Sequence, residues 1–291
     1  MTVSAQSGTS RRRGGGHAHG GGESGGFRAF RVVALVVTLF VFVFPILWMV
    51  LASLKKNVDI FNPAKTLDFS PTLDNFVKVF AEQHFVQFTL NSFVVAGVST
   101  LLSLVIGLPA AHAISRFAMK RPASIVLLAR IMPAIALIIP WYFIFARLHL
   151  LGGYSALVIA HMFPSLPLIV VILISFFDGL PIELEEAAQV DGLTPIGAFV
   201  RVALPLSRPG IATAGLLSFI FSWNNFLFSL VLCGSDTKTL PVAIMDFIGY
   251  ASIDWGGLMA ATTAITVPIM VISVLCQKYV VSGFIAGAIK G

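Results

Sequence analysis

Side chains with chemistry to offer fall in three places on an otherwise apolar chain. The first is Pro181–Pro209, PIELEEAAQVDGLTPIGAFVRVALPLSRP, a polar, acidic island between two long apolar runs. The second is the tandem Ser222-Trp223-Asn224-Asn225. An aromatic face can stack on the C–H surface of a sugar and amides can satisfy its hydroxyls, so Trp223, Asn224 and Asn225 are candidates to line a carbohydrate pathway. Adjacent polar residues cannot all share one helix face, and Asn224 or Asn225 is equally suited to hydrogen-bonding between helices. The third is Arg130, a cation within an apolar run. It is either part of a pathway or an anchor that reaches headgroups or helix-end carbonyls from near the membrane surface. No acidic residue of the apolar runs is an evident partner for it, and a solute carrying a phosphate ester would favour such a cation.

Other titratable groups point away from catalysis. His112 and His161 are single histidines on apolar stretches, suited to packing and not to ligation, and His17 and His19 lack further ligands at metal-binding spacing. Cys233 and Cys276 lie far apart in apolar surroundings, which indicates neither a disulfide framework nor a metal site. There is no G-x-x-x-x-G-K-[ST] phosphate loop, no H-E-x-x-H and no nucleophile constellation. The chain is therefore expected to be no enzyme, with no catalytic residue and no metal, and any energy-driven step must draw on a partner.

The elements that must position these residues are membrane helices. Hydrophobic residues make up 57% of the chain and charged residues 11%, and mean hydropathy is +0.93, beyond the balance of a soluble domain. An all-α integral membrane protein follows. Apolar runs at about 32–51, 90–114, 123–146, 155–177, 211–232 and 258–280 give about six spans of bilayer length, surrounded by membrane lipid. The formal charge of +6 is spread over the ends of these runs and not grouped with aromatics, which argues against a nucleic-acid partner. Arg11, Arg12, Arg13, Arg28 and Arg31 before the first run keep the N-terminus cytoplasmic, and an even number of spans returns the C-terminus to the same side. Arg116, Lys120 and Arg121 then fall inside, as does the 181–209 island. Residues 1–26, rich in Gly, Ser and Arg, read as a disordered cytoplasmic tail and not as a signal peptide, and 27–291 as the membrane domain. Pro133, Pro140, Pro164, Pro167 and Pro268 within the runs suit helices that kink.

Within the island, Pro181 can open a helix whose first turn carries Glu183, Glu185 and Glu186 at the positive end of the dipole. Gly192 after Asp191 offers the stop. Thr194-Pro195 has the cap-then-proline pattern of a second start, and that helix should run until Pro205 forbids continuation.

The island also carries a resemblance. Glu186-Ala187-Ala188, three residues, Gly192, nine residues, then Val202-Ala203-Leu204-Pro205 resembles the E-A-A-x3-G-x9-I-x-L-P loop of binding-protein-dependent ABC importer permeases, with valine in place of the usual isoleucine. Arg130-Ile131-Met132-Pro133, Ile138-Ile139-Pro140, Asp74-Asn75-Phe76 and the end Ser282–Gly291 are similar to elements of the smaller, maltose-type carbohydrate permease. The resemblance implies a type I importer permease fold, with 181–209 as a cytoplasmic coupling helix for an ATPase. It assigns that role to Glu185, Glu186, Ala187, Ala188, Asp191, Gly192, Leu204 and Pro205. It further implies a second permease subunit, two ATP-binding subunits that hold ATP and Mg, an extracytoplasmic solute-binding protein, and residence in the cytoplasmic (inner) membrane. An ion-coupled secondary transporter would instead call for acidic residues at mid-depth or readable inverted halves, which the runs lack.

Overall fold

The computed structural model describes residues 25–249 and 252–288. Most of the tail expected at 1–26 and the last residues of the Ser282–Gly291 motif lie outside them. The chain divides into two units, Met1–Leu47 and Trp48–Gly291.

Helix α1, Gly25–Ser53, follows the first apolar run and contains Pro45. Beyond it the chain stays irregular, with single helical turns such as Asn57–Ile60 and Asp74–Val77. Asn75 ties this segment down: its Nδ2 donates to the carbonyls of Ser53 and Lys55 at 2.8 Å, satisfying acceptors that the end of α1 leaves open. Lys55 itself is buried. Its Nζ donates to Thr66 O at 2.8 Å and lies 4.8 Å from the Phe69 ring centre, a charge held by a carbonyl and an aromatic face.

Helix α2, Phe85–Arg116, packs along α5, Tyr154–Phe177, in the most extensive helix pairing of the molecule. Small residues bring them close: a side chain at Gly107 would meet Ile169 Cγ2 at 2.8 Å. Between them run α3, Lys120–Ile131, and α4, Ala134–Arg147. The third apolar run is thus not one straight helix; α3 and α4 meet at 94°. Met132 is extended (φ −62°, ψ 126°) because the ring of Pro133 crowds the helical conformation of the residue before it. Pro164 and Pro167 in α5 and Pro268 in the last helix leave their helices unbroken.

The island folds as α6, Glu183–Val190, and α7, Pro195–Leu206, followed by α8, Arg208–Trp223. Two expectations are corrected. Helix α6 begins at Glu183, with Pro181 and Ile182 forming the turn before it. And α7 does not stop at Pro205: its backbone widens over Phe199–Ala203, where Leu204 N–H reaches back five residues to Phe199 O, and this looser turn lets the helix continue to Leu206. The chain then bends by 75° between α7 and α8.

The fifth apolar run is also interrupted. Helix α8 ends at Trp223, and α9, Leu227–Leu232, starts again after Asn224–Phe226. Helix α10, Trp255–Ala288, closes the chain. Among the described residues, four helices are long and apolar enough to cross a bilayer, and up to six spans result if each bent pair counts as one. The fold is all-α and membrane-spanning, and one core joins Ala111, Ile114, Leu173 and Phe177 to Ala203 and Ala214, seating α7 and α8 on the α2–α5 pair.

Candidate functional site

Two features stand out, one at the end of the molecule where α6 and α7 lie and one at the α3–α4 elbow. At the first, Thr194 caps α7 through its Oγ1, which accepts from Gly197 N, and Pro195 occupies the first turn where its missing N–H costs nothing. Gly192, between α6 and α7, has φ +94°, a conformation that side chains rarely adopt. The island is therefore a compact pair of helices joined at the expected glycine.

Its acidic residues divide sharply. Glu186 is exposed, as are Ala187, Asp191 and Gly192, while Ala188, Leu204 and Pro205 are half-buried. Glu185 is buried. Its Oε1 accepts from Arg116 Nε at 2.8 Å, and its Oε2 lies 2.8 Å from His112 Nε2. His112 and Arg116 are one helical turn apart on α2, so both reach the same carboxylate. Arg116 Nη1 also donates to the carbonyls of Phe177, the last residue of α5, and Leu180, just beyond it, at 3.0 and 3.3 Å. The His112 ring packs against Phe177, 5.2 Å between centres, and Phe199 of α7, 4.6 Å. Nearby, Ser115 donates to Asp178. One turn of α2 thus touches α5, α6 and α7 together. His112 is a satisfied packing residue, as its apolar setting suggests, but one with an ionisable partner.

Outward, the knob presents apolar side chains. Val190 is 88% exposed and Ile196 75%, with Leu184 and Val200 also open. These exposed apolar side chains share the α6–α7 pair with exposed Glu186.

The second feature is a cavity of about 300 Å³ at the elbow, lined by Arg130, Met132, Phe163, Pro164, Phe221 and Phe228 among others. Arg130 supplies its charge; the phenylalanines supply aromatic walls. The other candidate pathway residues, Trp223, Asn224 and Asn225, do not line it. Trp223 is 1% exposed and packs with Phe93 and Phe219 in the core, away from the cavity wall. Asn224 Nδ2 donates to Ile220 O, and Asn225 Oδ1 accepts from Phe228 N, so both amides serve the break between α8 and α9. Arg130 is thus joined by Phe221 and Phe228, neighbours of the expected residues, and not by Trp223, Asn224 or Asn225. The residues that sequence reasoning passed over at the first feature, Arg116 and His112, did leave a signal: a cation and an imidazole at i, i+4 just before a basic turn, facing a loop with acidic residues to spare.

Residues 103–285 match the family described as the binding-protein-dependent transport system inner membrane component. The chain is 35% identical over 269 residues to the permease protein of the sulfoquinovosyl glycerol transport system of Agrobacterium fabrum, covering 91% of this chain and 94% of that one. It is 34% identical over 271 residues to the permease protein of the trehalose/maltose transport system of Thermococcus litoralis, covering 91% and 97%. A chain of a bacterial ABC transporter involved in the import of the acidic polysaccharide alginate superposes with a TM-score of 0.74 at 19% identity, over 87% of this chain and 96% of that chain, which is a likeness of fold.

Proposed function

Because the chain belongs to the family of binding-protein-dependent transport system inner membrane components, we propose that it is the smaller permease subunit of an ATP-driven importer for a carbohydrate, a disaccharide, oligosaccharide or polyol. In this reading it forms the pathway with a second permease. Two ATP-binding subunits holding ATP and Mg sit beneath the pair, and an extracytoplasmic binding protein delivers solute from above. Both termini and the α6–α7 knob face the cytoplasm, where the ATPase is.

The observation that carries this is the knob itself: a short helix pair, its second helix capped by Thr194, with exposed apolar side chains at Val190 and Ile196, fastened by Glu185 to the end of a membrane-spanning helix. Similarity to relatives named for sugar transport supports the solute class. ATP-driven closure of the ATPase subunits would carry the knob inward and switch the helices between two packings, a lever between two states. Hydrolysis belongs to the partner.

The test is co-purification from the native membrane, then ATP hydrolysis and uptake in proteoliposomes with trehalose, maltose, diacetylchitobiose and glycerol 3-phosphate. A second permease and an ATPase should co-purify, and one loaded binding protein should stimulate hydrolysis. A chain that comes out alone, even after crosslinking at Glu186, would refute the proposal.

A second reading rests on Arg130. A guanidinium in an aromatic cavity suits a solute with an anionic group, such as a glycerol phosphate ester. Preference for glycerol 3-phosphate over the neutral sugars in the same assay would select it.

A further inference from the structure

We infer that Glu185, held by Arg116 and His112, is the joint through which displacement of the α6–α7 knob reaches α2. This rests on the importer function proposed above and names a positioning residue within it. Beside the apolar packing of α7 on α2 and α5, three connections run from helix α6 itself among the described residues. Two are covalent and compliant: to α5 through Gly179-Leu180-Pro181, and to α8 through α7, whose turn is widened at Phe199–Ala203 and which bends 75° at Ser207. The third is the side-chain contact with α2, and its geometry is stiff. The Glu185 carboxylate meets a guanidinium at 2.8 Å on one oxygen and an imidazole at 2.8 Å on the other, with side chains 8%, 12% and 17% exposed for Glu185, Arg116 and His112. Such charge-assisted contacts, shielded from water, have little freedom to rotate or slip.

Arg116 is itself braced against the end of α5 through Phe177 O and Leu180 O, and His112 is wedged between Phe177 and Phe199. A push on α6 therefore arrives on α2 and α5, the most extensive helix pairing among the described residues, and α5 contributes Phe163 and Pro164 to the cavity wall. Adjacent glutamates thus have separate places: Glu186 stays exposed on the knob, and Glu185 faces inward to the lever.

The experiment uses the full complex in proteoliposomes and compares Glu185→Ala, Glu185→Gln, and the charge exchange Glu185→Arg with Arg116→Glu. Solute transported per ATP hydrolysed is measured with whichever of trehalose, maltose or diacetylchitobiose the wild-type complex carries fastest. Hydrolysis should persist in Glu185→Ala while that ratio falls by about tenfold, within the range by which residues between coupled sites alter coupling. Glu185→Gln, which can still accept from Arg116, should lie between, and the exchange should recover part of the loss.

A second readout needs no solute. Spin labels on Glu183→Cys in α6 and Val105→Cys in α2, with Cys233 and Cys276 replaced by serine, report the α6–α2 distance with and without Mg·ATP. It should stay constant in the otherwise unaltered complex and change in Glu185→Ala. An unchanged transport ratio in Glu185→Ala, or a distance that shifts equally with and without Glu185, overturns the joint. So does loss of assembly in all variants including the exchange, which would make the contact a brace of the fold alone. Absence of any uptake by the wild-type complex would count against the importer function, while the label distance under Mg·ATP would still decide the joint.

Discussion

Ser222 Oγ lies 2.8 Å from His161 Nδ1, and this contact spans the last turn of α8 and the middle of α5. The other ring nitrogen, Nε2, is 3.2 Å from Ser229 Oγ on α9. One buried imidazole therefore grips both sides of the Asn224–Phe226 interruption, and Ser99 of α2 extends the chain of hydroxyls at 3.0 Å from Ser222.

Replacing His161 by leucine, close in volume but without ring nitrogens, should loosen that interruption. Interhelical hydrogen bonds in membranes average about 0.6 kcal/mol each, so losing both should cost roughly 1 kcal/mol. His161→Ala adds a cavity and should cost about 2–4 kcal/mol. Thermal inactivation of the assembled complex in detergent should fall in the order wild type, His161→Leu, His161→Ala. Equal midpoints for all would mean the imidazole braces nothing.

Gly192 has open space where a Cβ would be placed, yet its φ of +94° strains any side chain. Gly192→Ala should therefore cost about 1–2 kcal/mol from the backbone alone. Gly192→Asn should cost less than Gly192→Val, because asparagine tolerates positive φ better. Faster amide exchange across 183–206 in the alanine variant, with the α2–α5 pair unchanged, is the expected result.

Asp254, just before α10, gathers Lys78, Asn57 and the Gly257 N–H around its carboxylate. Burial by itself would raise its pKa, but these hydrogen bonds and the Lys78 charge outweigh burial and hold it below the ordinary 3.8. A carboxyl with a lowered folded-state pKa stabilises the fold above its unfolded pKa and loses that contribution as pH falls through the folded value. Stability should thus drop below about pH 4, and Asp254→Asn should be less stable at neutral pH with a flatter acid limb. Thermal melts from pH 3 to pH 7 check this, and the effect should be modest because Lys78 is 44% exposed.

Arg130 should reveal its role through solute preference. If it meets solute in the elbow cavity, Arg130→Gln should alter uptake of glycerol 3-phosphate and of a neutral disaccharide by different factors, about tenfold apart for a lost charge-assisted contact. Equal effects on both, together with reduced assembly, would identify it as an anchor of the α3–α4 elbow.

Much of this was legible along the chain. Apolar runs of bilayer length specify the membrane helices because no other backbone arrangement satisfies its hydrogen bonds in lipid. Thr194-Pro195 and Gly192 specify the island's helix boundaries because capping, a missing N–H and positive φ are local properties. The E-A-A-x3-G spacing identified the knob for the same reason: it is short and continuous in sequence.

What the chain did not reveal is where neighbours from afar meet. Which prolines break a helix was not legible: at Met132-Pro133 the chain turns by 94°, whereas Pro164 and Pro167 leave α5 continuous. Trp223, a candidate for the pathway, is buried in the core, and the helix break that follows it takes up the amides of Asn224 and Asn225. Glu185 and Glu186 are chemically identical neighbours, and about 100° of rotation around α6 separates the one bound to Arg116, 69 positions away, from the one left exposed. Residue types and spacing determine helices, caps and turns, since these depend on interactions within a few residues. Which face of each helix is turned toward a partner is decided only when distant segments compete to bury the same charge.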